Sequence, residues 1–324
     1  MSASIEHLRV RANGLDFHVA ASGPPGGPQV LCLHGFPEGW MSWRPVMARL
    51  PEVRLYAPDL RGYGPMDHPR GGYDVFTLTD DVRALMVALG LDRPVLATHD
   101  WGGALGWLFA HRHSALIRHL LVVNCTHPRT LVRAALTFDH LQPLRIPWVL
   151  PFQVPWLPEA FIATPPGRRL LRWSFTVREG RPGTMDRALV DEIVGRFATS
   201  GDLRGPIQYY RAFFRTLLSK RGRAALHTLY ATPITAPVTV AWGEKDGALP
   251  EAVARKSAAD AGCPLDWRPL AGVGHFVDLE APDALAAELR RVVDQRAFAP
   301  QVKSAPDSGA GSRASHALEA PPSP

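Results

Sequence analysis

The sequence predicts an α/β protein, a parallel sheet flanked by helices, and three observations carry that prediction. Short apolar runs with strand character alternate with stretches of helical spacing, the layout of a sheet joined by crossover helices. The run Thr98, His99, Asp100, Trp101, Gly102, Gly103 follows the apolar stretch Pro94 to Ala97 and opens the helix-like stretch Ala104 to Ala110. A strand that breaks sharply into a helix through small residues presents one side chain at the top of the sheet, as a nucleophile elbow does. An acid and a histidine, Asp246 and His275, then follow in the order such a fold requires, each beyond a strand-like run, where ligands of open α/β sheets bind.

The chain opens with Leu8 to Ala12 and Leu15 to Ala20 around Asn13-Gly14, the strongest short hairpin signal, so an antiparallel edge is expected. The all-apolar Val30 to Leu33 is the next strand and runs into the loop His34, Gly35, Phe36, Pro37, Glu38, Gly39, Trp40. Thr77 with Asp80 and Asp81 is expected to start a helix whose Val82, Leu85, Met86 and Leu89 recur at helical spacing and which Gly90 stops. In the elbow strand, Thr98 is near the upper size limit for its position. The elbow helix carries His111 and His113 in its last turn, where a histidine favours the dipole. Leu120 to Asn124, Ala236 to Trp242 and Pro264 to Leu270 read as further strands, and Pro282 to Val293 as a closing helix. From Ala299 to Pro324 the chain is mostly Ala, Pro, Ser and Gly, a composition that cannot offset chain entropy by burial and is expected to be a disordered extension.

The elbow residue decides the chemistry. A serine there would form an acyl ester, whereas an aspartate attacking an alkyl carbon forms an alkyl ester that water can cleave. A serine attacking the same carbon would leave a dead-end ether. Asp100 therefore points to electrophilic sp3 carbon, meaning epoxides or alkyl halides; its plain alternative is a helix cap at Gly102. His275, in the glycine-flanked loop Gly272 to Phe276, is the expected base, with Asp246 holding its tautomer. Glu244, two residues from Asp246, reads as a solvated loop residue. Hydrolysis of the ester needs oxyanion donors, and the backbone N–H groups of Phe36 and Trp101 are the expected pair.

The strings HGFPEGW (34 to 40), APDLRGYG (57 to 64), THDWGG (98 to 103), WGEKD (242 to 246) and GVGHF (272 to 276) resemble the epoxide hydrolase branch of the α/β-hydrolase superfamily. The likeness spans the chain to the helix near Val293. It implies a mostly parallel eight-stranded sheet with flanking helices and an inserted helical lid: core residues 1–128, lid 129–230, core 231–298 and tail 299–324. It also implies two lid tyrosines that polarise the epoxide oxygen and protonate the leaving alkoxide. Ile207 to Arg211 is similar to the second tyrosine motif, which assigns that role to Tyr210. At the first tyrosine position, within Pro147 to Gln153, this chain has Trp148, whose indole N–H can donate a hydrogen bond but cannot transfer a proton as a phenol can. Large amphipathic packing is the plain alternative for both residues. Trp148, His34 and Pro37 are the expected substrate contacts.

Trp148 also opens a second enzyme reading. A halide leaving an sp3 carbon wants N–H donors, which Trp101 and Trp148 could supply in an alkyl halide dehalogenase; Phe36, where many dehalogenases have Asn, argues against it. A third reading is a non-catalytic hydrolase-fold binding protein, although such members usually lose the nucleophile or the histidine. The family turn RGYG is followed here by Pro65, Met66 and Asp67, from which altered loop geometry is expected.

With 324 residues, 46% of them hydrophobic, the chain can bury a large core. Its net charge of +6 invites nucleic acid or anionic membrane, but the arginines are spread in short pairs with no nucleic-acid motif. Apolar stretches are too short to span a bilayer, and MSASIEHLRV lacks the start of a signal peptide. Cys32, Cys125 and Cys263 read as buried thiols of a reducing compartment, so a cytoplasmic enzyme, monomer or homodimer, acting on a lipophilic small molecule and water is expected. No cofactor or metal is implied.

Overall fold

A computed structural model of the chain describes residues 4–295; the expected disordered tail lies outside them. Strands β1 (Glu6–Ala12), β2 (Leu15–Ser22), β3 (Gln29–Leu33), β4 (Arg54–Pro58), β5 (Val95–His99), β6 (His119–Val123), β7 (Val238–Gly243) and β8 (Leu265–Leu270) form one eight-stranded sheet in the order β1-β2-β4-β3-β5-β6-β7-β8. β1 and β2 pair antiparallel, as does β2 with β4, and every later pairing is parallel. The opening hairpin turns at Asn13 (φ 44°) and Gly14 (φ 77°), the paired left-handed conformation for which Asn-Gly is suited. β4, β5 and β6 are buried at every residue, as strands covered on both faces must be.

The first long helix, Val75–Ala88, is capped by Asp74, whose side chain accepts from the Phe76 and Thr77 amides. The expected start at Thr77 is thus corrected. Asp81 instead forms a buried ion pair with Arg61 and accepts from Asn13, which ties the helix to the hairpin and to the loop after β4. Asp67, in that same loop, accepts the Asp16 amide at 2.9 Å, so the departure from the family turn is anchored to the hairpin.

Between β6 and β7 the chain is all helical, from Pro128–Leu136 through Leu157–Ile162, Pro165–Thr176, Arg187–Gly195 and Ser200–Leu218 to Lys220–Tyr230. The longest of these starts with a capping box, Thr199 and Asp202 bonding each other's backbone N–H. Tyr209 is buried on it and donates to the Arg61 carbonyl at 3.0 Å, while Arg211 pairs with Glu159 and reaches the carbonyls of Phe152 and Val154. Those contacts fix the rotation of the helix and leave Tyr210 between them.

The elbow is packed to its limit by two glycines. A Cβ on Gly102 would lie 2.3 Å from the Leu33 carbonyl oxygen, and one on Gly106 would lie 2.8 Å from Cγ2 of Thr98. The bulk of Thr98 is thus accommodated by the absence of a side chain at Gly106. Gly102→Ala should cost about 3 kcal/mol or more because the clash is with backbone. A urea midpoint within error of the parent would contradict this packing.

Cys32 and Cys125 are buried, and Cys263 is only half-buried; all three are free thiols. Cys125 lies beyond the end of β6 rather than on it, with its Cβ against Gly103 of the elbow helix.

Candidate active site

Asp100 directly follows β5 and has φ +47°, a left-handed conformation that Asp tolerates better than most residues. That strain turns its side chain out of the helix axis. Its Oδ1 accepts the Phe36 N–H at 2.8 Å, across 64 residues of sequence. The capping alternative is thereby excluded, since the helix has His99 at its N-cap and no side-chain cap. The Trp101 amide lies in the first turn of the same helix, where N–H groups have no intrahelical carbonyl.

β7 and β8 deliver the other two members. Asp246 Oδ2 accepts from His275 Nδ1 at 2.8 Å and from Asn124 Nδ2 at 2.7 Å, and its Oδ1 takes the Ala248 and Leu249 amides at 2.7 and 2.9 Å. Every lone-pair direction of this buried carboxylate is used, while Glu244 is exposed. The opposite nitrogen of His275, Nε2, lies 3.7 Å from Asp100 Oδ2. Burial alone would raise the pKa of Asp100 and Asp246; the adjoining imidazole and the donated hydrogen bonds outweigh it and hold both below the ordinary value. Burial likewise opposes charge on His275, but the Asp246 charge and the Asp100 contact win and raise it to about 9. The three groups form a carboxylate–imidazolium–carboxylate array.

Asp100 and His275 open onto a cavity of about 920 Å³ whose wall also includes Phe36, Pro37, Trp148 and Tyr210. The Tyr210 ring meets Phe36, Phe152 and Trp101 edge-on, with centroids 5.4, 5.1 and 5.0 Å away. Burial and the Asp100 charge push its hydroxyl well above the ordinary phenol pKa, while the indole N–H groups of Trp148 and Trp101 are near enough to pull it down. The phenol is therefore protonated at neutral pH. Trp148 is itself covered by the Arg178 guanidinium, 4.5 Å above its ring.

The expected substrate contact at His34 is corrected. His34 is fully buried off the cavity wall; its Nδ1 donates to the Gly35 carbonyl and its Nε2 accepts the Leu60 N–H at 3.0 Å. It braces two loops as a neutral ring. His111 also departs from expectation: burial lowers its pKa, and it bonds the Thr232 carbonyl and His127 rather than serving the helix dipole as a cation.

Four residues without an assigned role in the sequence complete the site. Asn124, at φ +39° just past β6, bonds Asp246 and accepts the Gly243 N–H at 2.7 Å. Behind Asp100, Glu38, His99 and Asp278 bring ligand-type atoms within 4.8 Å of one another. His99 Nδ1 lies 3.1 Å from Glu38 and Nε2 lies 3.0 Å from the His275 carbonyl oxygen. Both nitrogens face oxygen acceptors, an arrangement that favours the imidazolium. Burial disfavours its charge, but Glu38 and Asp278 prevail and raise its pKa to about 10. Glu38 also accepts the Gly35 N–H at 2.6 Å, so one ion pair braces both the loop bearing Phe36 and the loop bearing His275.

Raised pKa values give a sign to the pH dependence of stability. The contribution of His275 and His99 is complete below the ordinary histidine value of 6.5 and is lost as pH rises through about 9 and about 10, respectively. Urea midpoints should fall between pH 6.5 and 10. A rising midpoint over that window would refute the two imidazolium assignments.

Residues 28–282 match the family model for the alpha/beta hydrolase fold. Mouse epoxide hydrolase 3 is 32% identical over 285 residues, covering 85% of this chain and 73% of the relative. The chain belongs to the epoxide hydrolase branch of the α/β-hydrolase superfamily. Human epoxide hydrolase 4 is 35% identical over 247 residues, 74% of this chain and 65% of the relative, so the chain spans roughly two thirds to three quarters of these two curated relatives. Among solved structures, Cfl2 from Burkholderia cenocepacia superposes with a TM-score of 0.78 at 29% identity, covering 90% of this chain and 96% of that one. Membership of this branch makes the protein a hydrolase, and none of its described helices is long and apolar enough to cross a membrane.

Proposed function

We propose that the protein hydrolyses a lipophilic epoxide to a vicinal diol through an alkyl ester on Asp100. The observation that carries this reading is the convergence of Asp100, His275 and the Tyr210 hydroxyl on one apolar cavity. Among the described residues, 129–230 act as the lid over a core made of 4–128 and 231–295.

With Oδ1 of Asp100 held by the Phe36 N–H, Oδ2 is the attacking atom. It forms a bond to one epoxide carbon as the C–O bond breaks, and Tyr210 gives its proton to the departing alkoxide. Trp148 orients that hydroxyl and contacts substrate. Esterification removes the negative charge that had helped keep His275 protonated, so the imidazolium gives its proton to the Tyr210 phenolate and becomes a neutral base where it stands. It then takes a proton from water attacking the ester carbonyl, with Asp246 stabilising the imidazolium. The Phe36 and Trp101 N–H groups receive the oxyanion. Collapse of the tetrahedral intermediate breaks the ester C–O bond, its hydroxyl proton passes to the departing alkoxide to complete the diol, and Asp100 carboxylate, His275 imidazolium and Tyr210 phenol are restored.

This charge logic is measurable without substrate. In Asp100→Asn, the His275 pKa read by NMR should drop by about one unit or more, as removal of an adjacent carboxylate requires. An unchanged value would separate the base from the nucleophile.

The test of the whole scheme is a single turnover with enzyme in excess in 18O-labelled water. Label should enter the Asp100 carboxylate and be absent from the first diol released. Diol that carries the label in that turnover would mean direct attack by water and would overturn the ester route.

A further inference from the structure

Consecutive helices between β6 and β7 are apolar on two sides. In Pro165–Thr176, Leu171 and Phe175 are buried inward. Leu170, Trp173 and, beyond the helix end, Val177 form a second stripe at helical spacing that is 50%, 58% and 46% exposed. Leu157–Ile162 repeats the arrangement, burying Pro158 and Ile162 and exposing Leu157 and Phe161. Leu150 and Trp156, in the turns just before it, are 70% and 73% exposed.

Five of these side chains form one feature, and Leu150 and Trp156 adjoin its wall residues Pro151 and Leu157 in sequence. Leu157, Phe161, Leu170, Trp173 and Val177 also line the cavity that holds Asp100 and Tyr210, so the exposed apolar surface is the rim of that cavity's mouth. A patch of this kind marks an interaction site. Its flanking charge identifies the partner. Arg145 bonds only the His140 and Gly247 carbonyls, Arg168 only those of Ala163 and Ala198, and exposed Arg169 adjoins Leu170. Among the described residues none of these three has a carboxylate partner.

We propose that this rim docks on an anionic lipid bilayer, so that a lipophilic substrate passes from the membrane directly into the cavity. Exposed tryptophans and aliphatics interleaved with unpaired arginines match the headgroup boundary, where aromatics settle and anionic lipids neutralise cations. A second copy is the poorer occupant: an isologous contact would face the same arginines against themselves and seal the mouth. The docking goes beyond the proposed chemistry and does not depend on it.

The test is co-sedimentation of the full chain with vesicles of phosphatidylcholine alone or mixed with phosphatidylglycerol. Binding should favour the mixed vesicles and weaken with added salt. The double variant Leu150→Asn with Trp156→Asn should lose about tenfold or more in affinity, as removal of two inserted apolar side chains requires. Asn suits Trp156, which sits at φ +54°. Arg168→Glu with Arg169→Glu should abolish the preference for anionic vesicles. None of the four residues is on the cavity wall, and an unchanged far-UV circular dichroism spectrum and a cooperative urea transition report intact folding of each variant. Failure to bind mixed vesicles at low salt, or binding that folded variants leave unaltered, would overturn the docking. So would a concentration-dependent dimer that Trp156→Asn dissociates, which would assign the patch to a second copy.

Discussion

His275→Gln, incubated with a panel of epoxides, should accumulate protein heavier by the mass of one whole epoxide. Ring opening expels no group, so every substrate atom stays on Asp100 while hydrolysis, deprived of its base, slows by about 10³-fold. The first step survives because attack by Asp100 Oδ2 requires no proton from His275. Asp100→Asn, which preserves shape but removes the nucleophilic oxygen, should gain no mass. Intact-mass spectrometry distinguishes the competing chemistries in the same experiment: an added alkyl group without its halogen, seen with alkyl halides only, would replace the epoxide reading by the dehalogenase. A variant that gains nothing from any substrate while still binding them would remove Asp100 from the role of nucleophile.

Tyr210→Phe should slow epoxide opening by about 10²- to 10⁴-fold, the usual worth of a positioned general acid. Phenylalanine keeps the edge-on contacts with Phe36, Phe152 and Trp101, so the loss isolates the hydroxyl. No second phenol is present to compensate at the other lid position, where Trp148 can direct a hydrogen bond but not deliver a proton. A departing halide needs no proton, so displacement of alkyl halides should hardly change. Stopped-flow single turnovers on both substrate classes make the comparison, and equal losses would remove the proton-donor role.

Asp100, Asp246 and His275 were legible because each follows a strand-like run and their order along the chain matches their order across the sheet. Tyr210 was legible from a local string. The remaining parts of the site were hidden for a physical reason. Glu38, His99 and Asp278 lie on three distant loops and have no shared period, so only the folded sheet brings them together. Asn124 looked like the end of a strand, although a left-handed Asn after a buried run is itself a sign of a sharp turn. His34 was misread because it is two residues from a true cavity residue, Phe36; in a tight turn two residues suffice to reverse direction. At Asp74 the capping signal was present, but a stronger acidic cluster downstream drew the helix start three residues late.

The backbone of His275 is held from two sides: its carbonyl oxygen by His99, at the root of the elbow, and its N–H by the carbonyl oxygen of Arg178, 3.0 Å away in the helical insert. The same Arg178 covers Trp148. A swing of the insert away from the sheet would thus strip the base of one of its two tethers at the moment the mouth widens. Deuterium uptake at the His275 amide therefore reports how often the contact between the insert and this loop breaks.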